Sequence, residues 1–320
     1  MKIGENMRKV KKVFVVAIYL AAILLLVLYR NDINTFLVEN YLYIKNTTEY
    51  TVNDYSKSTD YNYVKITKDF TAHNKDELLN IIYTIVDSGN TEFVFYCDKE
   101  YKDCQKDLES VSNNTTKLTT LNNFVHPYNS YSKLYISTNS FGKVTISLDK
   151  LYSDVEINYI NQLLDSIEKQ IFNNTMTVRD KIKAFHDFII NNTNYDQSRA
   201  EQIKSKDFSN NVYQSHKANG VLLNHIALCS GYTDIMAIFL DRLNVPNFKI
   251  SNENHVWNAL YIDNAWYHLD LTWDDPVTSN GENLLIYDFF IINDASLKTK
   301  DTTQHAYDIN AYSEIATSSN

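Results

Sequence analysis

The chain has only six glycines, three prolines and three cysteines in 320 residues, and each shortage removes a class of protein. So little glycine and proline excludes a collagenous, Pro-rich or linker-like chain. Three cysteines cannot build a disulfide framework. With no CxxC pair, no HExxH and no Cys/His cluster at ligand spacing, the sequence predicts neither a metal site nor a cofactor. Positive charge is short as well: 30 Lys and Arg stand against 39 Asp and Glu, a net −9. Residues 1–12 hold five bases (Lys2, Arg8, Lys9, Lys11, Lys12) against Glu5, a local +4, so the remainder carries −13. An acidic body of this kind argues against nucleic acid as a partner. Apolar mass is not short, at 44%, and suffices for one or two domains with a sizeable core.

Residues 13–29 (VFVVAIYLAAILLLVLY) run without a charge. At about 1.5 Å per residue such a helix just reaches across a bilayer core. Bases crowd its N-terminal side while Arg30-Asn31-Asp32 follows, which predicts a cytoplasmic basic tail (1–12), a transmembrane signal anchor (13–29) and a body outside the cytoplasm. A cleaved signal peptide shares the basic start and apolar stretch but ends in small residues, absent here.

After the anchor, residues 30–60 are polar, rich in Tyr and Asn, and read as a stalk or linker. A small α/β domain is expected over 61–150. In it, 63–69 alternates like a strand, 75–87 has helical spacing, and 92–96, 133–138 and 143–148 are strand-like, the last two joined by a loop at 139–142. Cys97 and Cys104 fall there, and either a disulfide or two thiols suits the pattern. A catalytic domain is expected over 151–320. Ser153 with Glu156 three residues on signals a helix start, and 178–191 carries Ile182, Phe185, Ile189 and Ile190 on one face.

The chemistry concentrates in 220–246 and 254–276. Cys229 stands just before a helical pattern (Ile235, Ile238, Phe239, Leu243) that stops before Pro246, so it belongs at a helix N-terminus. Free N–H groups and partial positive charge there stabilise a thiolate and a developing oxyanion. Residues 255–262 and 265–271 read as a hairpin about Asp263-Asn264. If Ile262 pairs with Ala265, Trp257 faces Asp270 and His255 faces Thr272. Alternation then puts His255, Trp257, Ala259 and Tyr261 on one face with Trp266, His268, Asp270 and Thr272. His255 and Asp270 become diagonal neighbours, close enough for the carboxylate to hold the imidazole. Cysteine plus a carboxylate-oriented histidine is the working set of thiol acyl transfer. His268 shares the face and ranks second as base.

The segments CSGYTDIMAIFL and HVWNALYIDNAWYHLDLTWDDP, in this order and spacing, resemble the transglutaminase-like family, whose blocks are C-x-G-Y-A, H-A-W-N and D-x-T-W-D-D-P. FHDFIINNTNYD upstream, and YDFFIIND followed by His305 downstream, resemble the helix and closing segment that flank the core in bacterial members. The resemblance covers about 178–305. It implies a papain-like α/β (α+β) core, a catalytic helix against an antiparallel sheet, preceded by the small α/β domain and the one N-terminal transmembrane helix. It places Cys229 as nucleophile, His255 as base and Asp270 as orienting carboxylate, with Ser230, Gly231, Tyr232, Trp257, Asn258 and Trp273 lining or supporting the channel. Departures bear on the rim: Ala227-Leu228 replaces the common Gly-Val, Ser230 a frequent Gln, and Asn254 a frequent Gly.

Taken singly, Cys229 is an ordinary buried packing residue, and Tyr195, Asp196 and His186 pack or cap. Asp274 and Asp275 shape a turn before Pro276, with calcium binding the weaker thought. The conjunction of three blocks favours an extracytoplasmic cysteine enzyme acting on amide bonds of protein or peptide substrates, cell-wall or surface protein among them, by crosslinking or by hydrolysis. The alternative is a catalytically silent surface binding or assembly module that keeps the frame.

Overall fold

The fold is given by a computed structural model that describes residues 2–37, 50–57, 59–98, 100–139, 142–206, 214–277, 284–301 and 303–318. Residues 38–49 of the expected stalk, and Ser140 and Phe141 of the expected 139–142 loop, lie outside the described residues. The N-terminus is helical: α1 (Lys2–Leu28) and α2 (Arg30–Leu37). Within α1, Lys11–Leu28 has mean hydropathy 2.4 and is unburied, so this helix is long and apolar enough to cross a membrane.

From Tyr50 onward the chain packs on the body as a strap. Tyr55 sits against the His126 and Tyr128 rings at 5.1 and 4.8 Å. The Ser56 hydroxyl donates to Asp87 (2.6 Å), and Lys57 Nζ and Tyr61 Oη both donate to the carbonyl of Asn247, at 2.7 and 3.0 Å. Burial pushes the Asp87 carboxyl up to about 6, against the opposing bonds from Ser56 and Lys57.

Next come β1 (Thr71–Ala72), α3 (Lys75–Asp87), β2 (Glu92–Cys97), α4 (Cys104–Ser112), α5 (Thr115–Asn123), β3 (Tyr131–Thr138) and β4 (Lys143–Lys150). The sheet order is β1-β2-β4-β3, parallel between β1 and β2 and antiparallel elsewhere. The strand expected over 63–69 does not form. Its amides are taken by side chains instead: Lys65 N donates to Asn80, Ile66 N to Asp60, Thr67 N to Thr84 and Asp69 N to Thr67. Such bonds compete directly with a ladder. Cys97 and Cys104 are joined as a disulfide.

The second half contains α6 (Asp154–Ile171), α7 (Val178–Asn192), β5 (Asn194–Tyr195), α8 (Gln197–Lys204), β6 (Ile226–Ala227), α9 (Cys229–Arg242), β7 (Asn247–Ser251), β8 (Val256–Ile262), β9 (Ala265–Leu269), α10 (Leu271–Asp274), α11 (Asp294–Lys300) and α12 (Ser313–Ala316). Ser153 and Glu156 close the expected capping box on α6. The sheet runs β7-β8-β9, all antiparallel, and Ile262 pairs with Ala265 as the hairpin reading requires. Asp263 and Asn264 both take positive φ (53° and 64°), the conformation of a tight two-residue hairpin turn.

This sheet is buried on both faces. Leu260 and Leu269 join a core with α6, α7 and α9, while Phe248, Ile250, Trp257 and Ala259 join the core of the N-terminal α/β unit. Phe248 meets Phe124 at 5.0 Å, Tyr61 at 5.6 Å and Trp266 at 4.7 Å, so an aromatic wall crosses the seam. Removal of these rings from water is the main force that holds the two halves together.

Candidate active site

Cys229 opens α9, with Leu228 extended at the N-cap, and is the one free cysteine among the described residues, half-buried. Gly231 is required two residues on: a Cβ there would meet the Ser215 carbonyl oxygen at 2.4 Å, so only glycine lets that loop cross the helix start. The Thr233 hydroxyl lies 2.7 Å from the Cys229 carbonyl and 3.0 Å from that of Val256, and Asn258 Nδ2 donates to the Thr233 carbonyl (3.0 Å). These contacts lock the thiol's helix to the strand that follows His255.

His255 Nε2 lies 2.5 Å from Asp270 Oδ2, and the Cys229 side chain acts electrostatically on the same ring. With Nε2 on the carboxylate, Nδ1 is left for the thiol. Burial opposes charge on the His255 ring, but Asp270 and then Cys229 outweigh it and raise its pKa to about 10. Burial likewise opposes charge on Asp270, yet His255 and then His305 hold its carboxyl well below the usual range.

The hairpin accounts for this meeting. β9 ends at Leu269, two residues short of the sequence reading, because Asp270 turns the chain into α10 as its N-cap. Its Oδ1 accepts the N–H groups of Thr272 (2.8 Å) and Trp273 (3.3 Å). Its Oδ2 takes His255 and His305 Nε2, the latter at 2.9 Å. One buried carboxylate therefore caps a helix and holds two imidazoles. The His255, Asp270 and His305 donor atoms lie within 4.8 Å of one another, the one grouping among the described residues with metal-ligand proximity. Both nitrogens aim at a single oxygen, which satisfies them by hydrogen bonding.

Trp257 is fully buried, stacks on His255 (5.5 Å, 17°) and donates its Nε1–H to His268 Nδ1 at 3.0 Å. That bond places His268 behind Trp257, and burial pushes its pKa down. Trp273 is half-buried, 6.4 Å from the His255 ring and 5.0 Å from that of His305. Ser230 is half-buried at the helix start, and the Tyr232 hydroxyl donates to Asp275. Asp274 accepts from Phe289 N (2.8 Å) and lies 3.1 Å from His186 Nε2, so the Asp pair ties α10 to α7, α9 and the 284–292 segment.

All of these residues but His305 lie in a stretch, 162–292, that matches the transglutaminase-like domain family. Over that stretch the chain is similar to a transglutaminase-like domain. A solved structure described as a crystal structure of a TGase is similar at a TM-score of 0.34 and 18% identity, over 55% of this chain and 50% of that one, so the chain spans about half of that protein. No curated protein matches the chain.

Two residues that the sequence reading named without a role at the site, Tyr195 and His305, are placed at it by the fold. Tyr195 pairs with Ala227 through β5 and β6, which brings it to the helix start; burial first, then the charges of Cys229, Asp196 and Asp270, push its hydroxyl up. Asp196 caps α8, as expected. His305, beyond the matched stretch, is the second partner of Asp270.

Proposed function

We propose that the protein is a cysteine acyl-transfer enzyme acting on amide bonds of protein or peptide substrates outside the cytoplasm. The observation that carries this is the half-buried Cys229 at the start of α9, in the electrostatic reach of a histidine whose Nε2 is held on a buried carboxylate. In the proposed reaction Sγ of Cys229, as thiolate, attacks the amide carbonyl carbon. The C–S bond forms while the carbonyl oxygen takes the charge beside the helix's first N–H groups, which have no intrahelical partner. His255 then passes its Nδ1 proton to the departing nitrogen as the C–N bond breaks. The thioester is resolved by water or by an amine, and His255 takes the proton from whichever attacks.

The Cys97–Cys104 disulfide supports an oxidising compartment, and the apolar α1 with its basic N-terminal flank supports attachment to a membrane with the body outside. Cell-surface and cell-wall peptides are the substrates this location offers. The test is alkylation of the full chain in detergent with iodoacetamide between pH 5 and 9. Cys229 should react at pH 6 in the wild type and lose that reactivity in His255→Ala; equal rates in both chains sink the enzyme reading. Mass spectrometry of peptide amides with and without an added amine then separates transfer from hydrolysis.

A further inference from the structure

His305 and Asp301 lie outside the stretch that matches the family, yet they continue the hydrogen-bond chain that begins at His255. We propose that the C-terminal segment 301–305 is a positioning device for the site, in which Asp301 aims His305 and His305 holds Asp270 in the orientation that His255 needs. This rests on the reading of Cys229 as nucleophile.

The geometry is a closed loop built on one carboxylate. Asp301 Oδ2 accepts the backbone N–H groups of Gln304 and His305, both at 2.9 Å, and Oδ1 accepts that of Thr303 at 3.0 Å. The same Oδ2 meets His305 Nδ1 at 2.8 Å, so the ring is fixed from its own segment. Its other nitrogen then reaches Asp270. Aromatic faces leave no other orientation: Phe289 stacks on the ring at 4.8 Å and 15°, with Trp257 and Trp273 edge-on at 4.9 and 5.0 Å. His305 spends both nitrogens on carboxylates, so neither can touch a substrate or the thiol. It acts through Asp270.

Asp270 is 2% exposed, and a buried carboxylate oxygen that loses a donor suffers the cost of an unmet charge-assisted bond. Without His305, Oδ2 has a single strong donor and can rotate to share it between both oxygens, at the expense of the His255 alignment. The helix-capping bonds on Oδ1 cannot replace the lost restraint, because they fix the other oxygen.

The experiment follows the alkylation rate of Cys229 by iodoacetamide against pH in the full chain. His305→Ala should slow the reaction near neutral pH by about tenfold or more, the fold-change that a lost hydrogen bond to a charged group carries. His305→Gln, whose amide N–H can still reach Oδ2, should restore the rate to within a few-fold. A His305→Ala chain that melts with the wild type and alkylates along the wild-type pH profile overturns the proposal. If His305→Ala fails to fold, Asp301→Asn decides: a slowed, shifted profile supports the device and an unchanged one overturns it. If His255→Ala alkylates like the wild type, the failure belongs to the nucleophile reading and not to this segment.

Discussion

Two buried histidine–aspartate pairs sit at the two ends of α10, and they use their ring nitrogens differently. His186, on α7, spends both ring nitrogens on carboxylates: Nδ1 lies 3.0 Å from Asp187 and Nε2 lies 3.1 Å from Asp274. His255 spends one nitrogen on Asp270 and keeps the other for Cys229. Burial opposes charge on both rings, and in both the acidic partners win and raise the pKa. A raised histidine is therefore no mark of catalysis in this protein. What distinguishes the site is an unspent nitrogen facing a half-buried thiol.

The largest effect should come from exchanging the roles in that comparison. His255→Ala should lower amide turnover by about three orders of magnitude or more and lower the melting temperature as well, since buried Asp270 loses one of its two imidazole partners. His186→Ala should leave turnover within a few-fold while destabilising the fold by about 3 kcal/mol, since Asp274 is left buried without its imidazole partner. Turnover assays and thermal melts on both variants check this; a matching loss of activity in the two would dissolve the distinction.

Asp270→Asn should come next, at about a thousandfold in turnover, because an amide offers one acceptor oxygen where α10 and two imidazoles need two. Gly231→Ala should destabilise by about 1–3 kcal/mol through its backbone clash with Ser215 and slow Cys229 alkylation as the helix start shifts. Thermal denaturation and alkylation rates measure the two parts.

The smallest effect is in pH dependence. His255 has a folded pKa raised from 6.5 to about 10, so its contribution to stability is fully present below about pH 6.5 and is lost as pH rises through about 10. The melting difference between wild type and His255→Ala should shrink from pH 7 to pH 10, as calorimetry can read.

Much of this site was legible because its geometry is local. Asp263-Asn264 between two alternating runs specifies a two-residue turn, and a turn of that length sets the register that puts His255 and Asp270 on one face. The Cys229 helix start was legible from its apolar spacing and Pro246. What lay hidden was non-local or taken over by side chains. β7 is five residues behind a proline, and its pairing with β8 is visible only in space. The run at 63–69 has strand periodicity, but Asn80, Asp60 and Thr84 reach its amides first. His305 meets Asp270 across 35 positions; the sequence marked it as part of a closing segment but gave no sign of which residue it would hold.

The aromatic seam between the halves has a consequence for inheritance. Tyr61 and Phe124 on one side and Phe248 and Trp266 on the other form a continuous wall behind the strand that follows His255. A recombination event that moved the second half onto a different N-terminal unit would carry that wall uncovered into water. A substitution in one face of the wall therefore constrains what the other can accept, and a cut near residue 150 would leave both halves with uncovered aromatic surface.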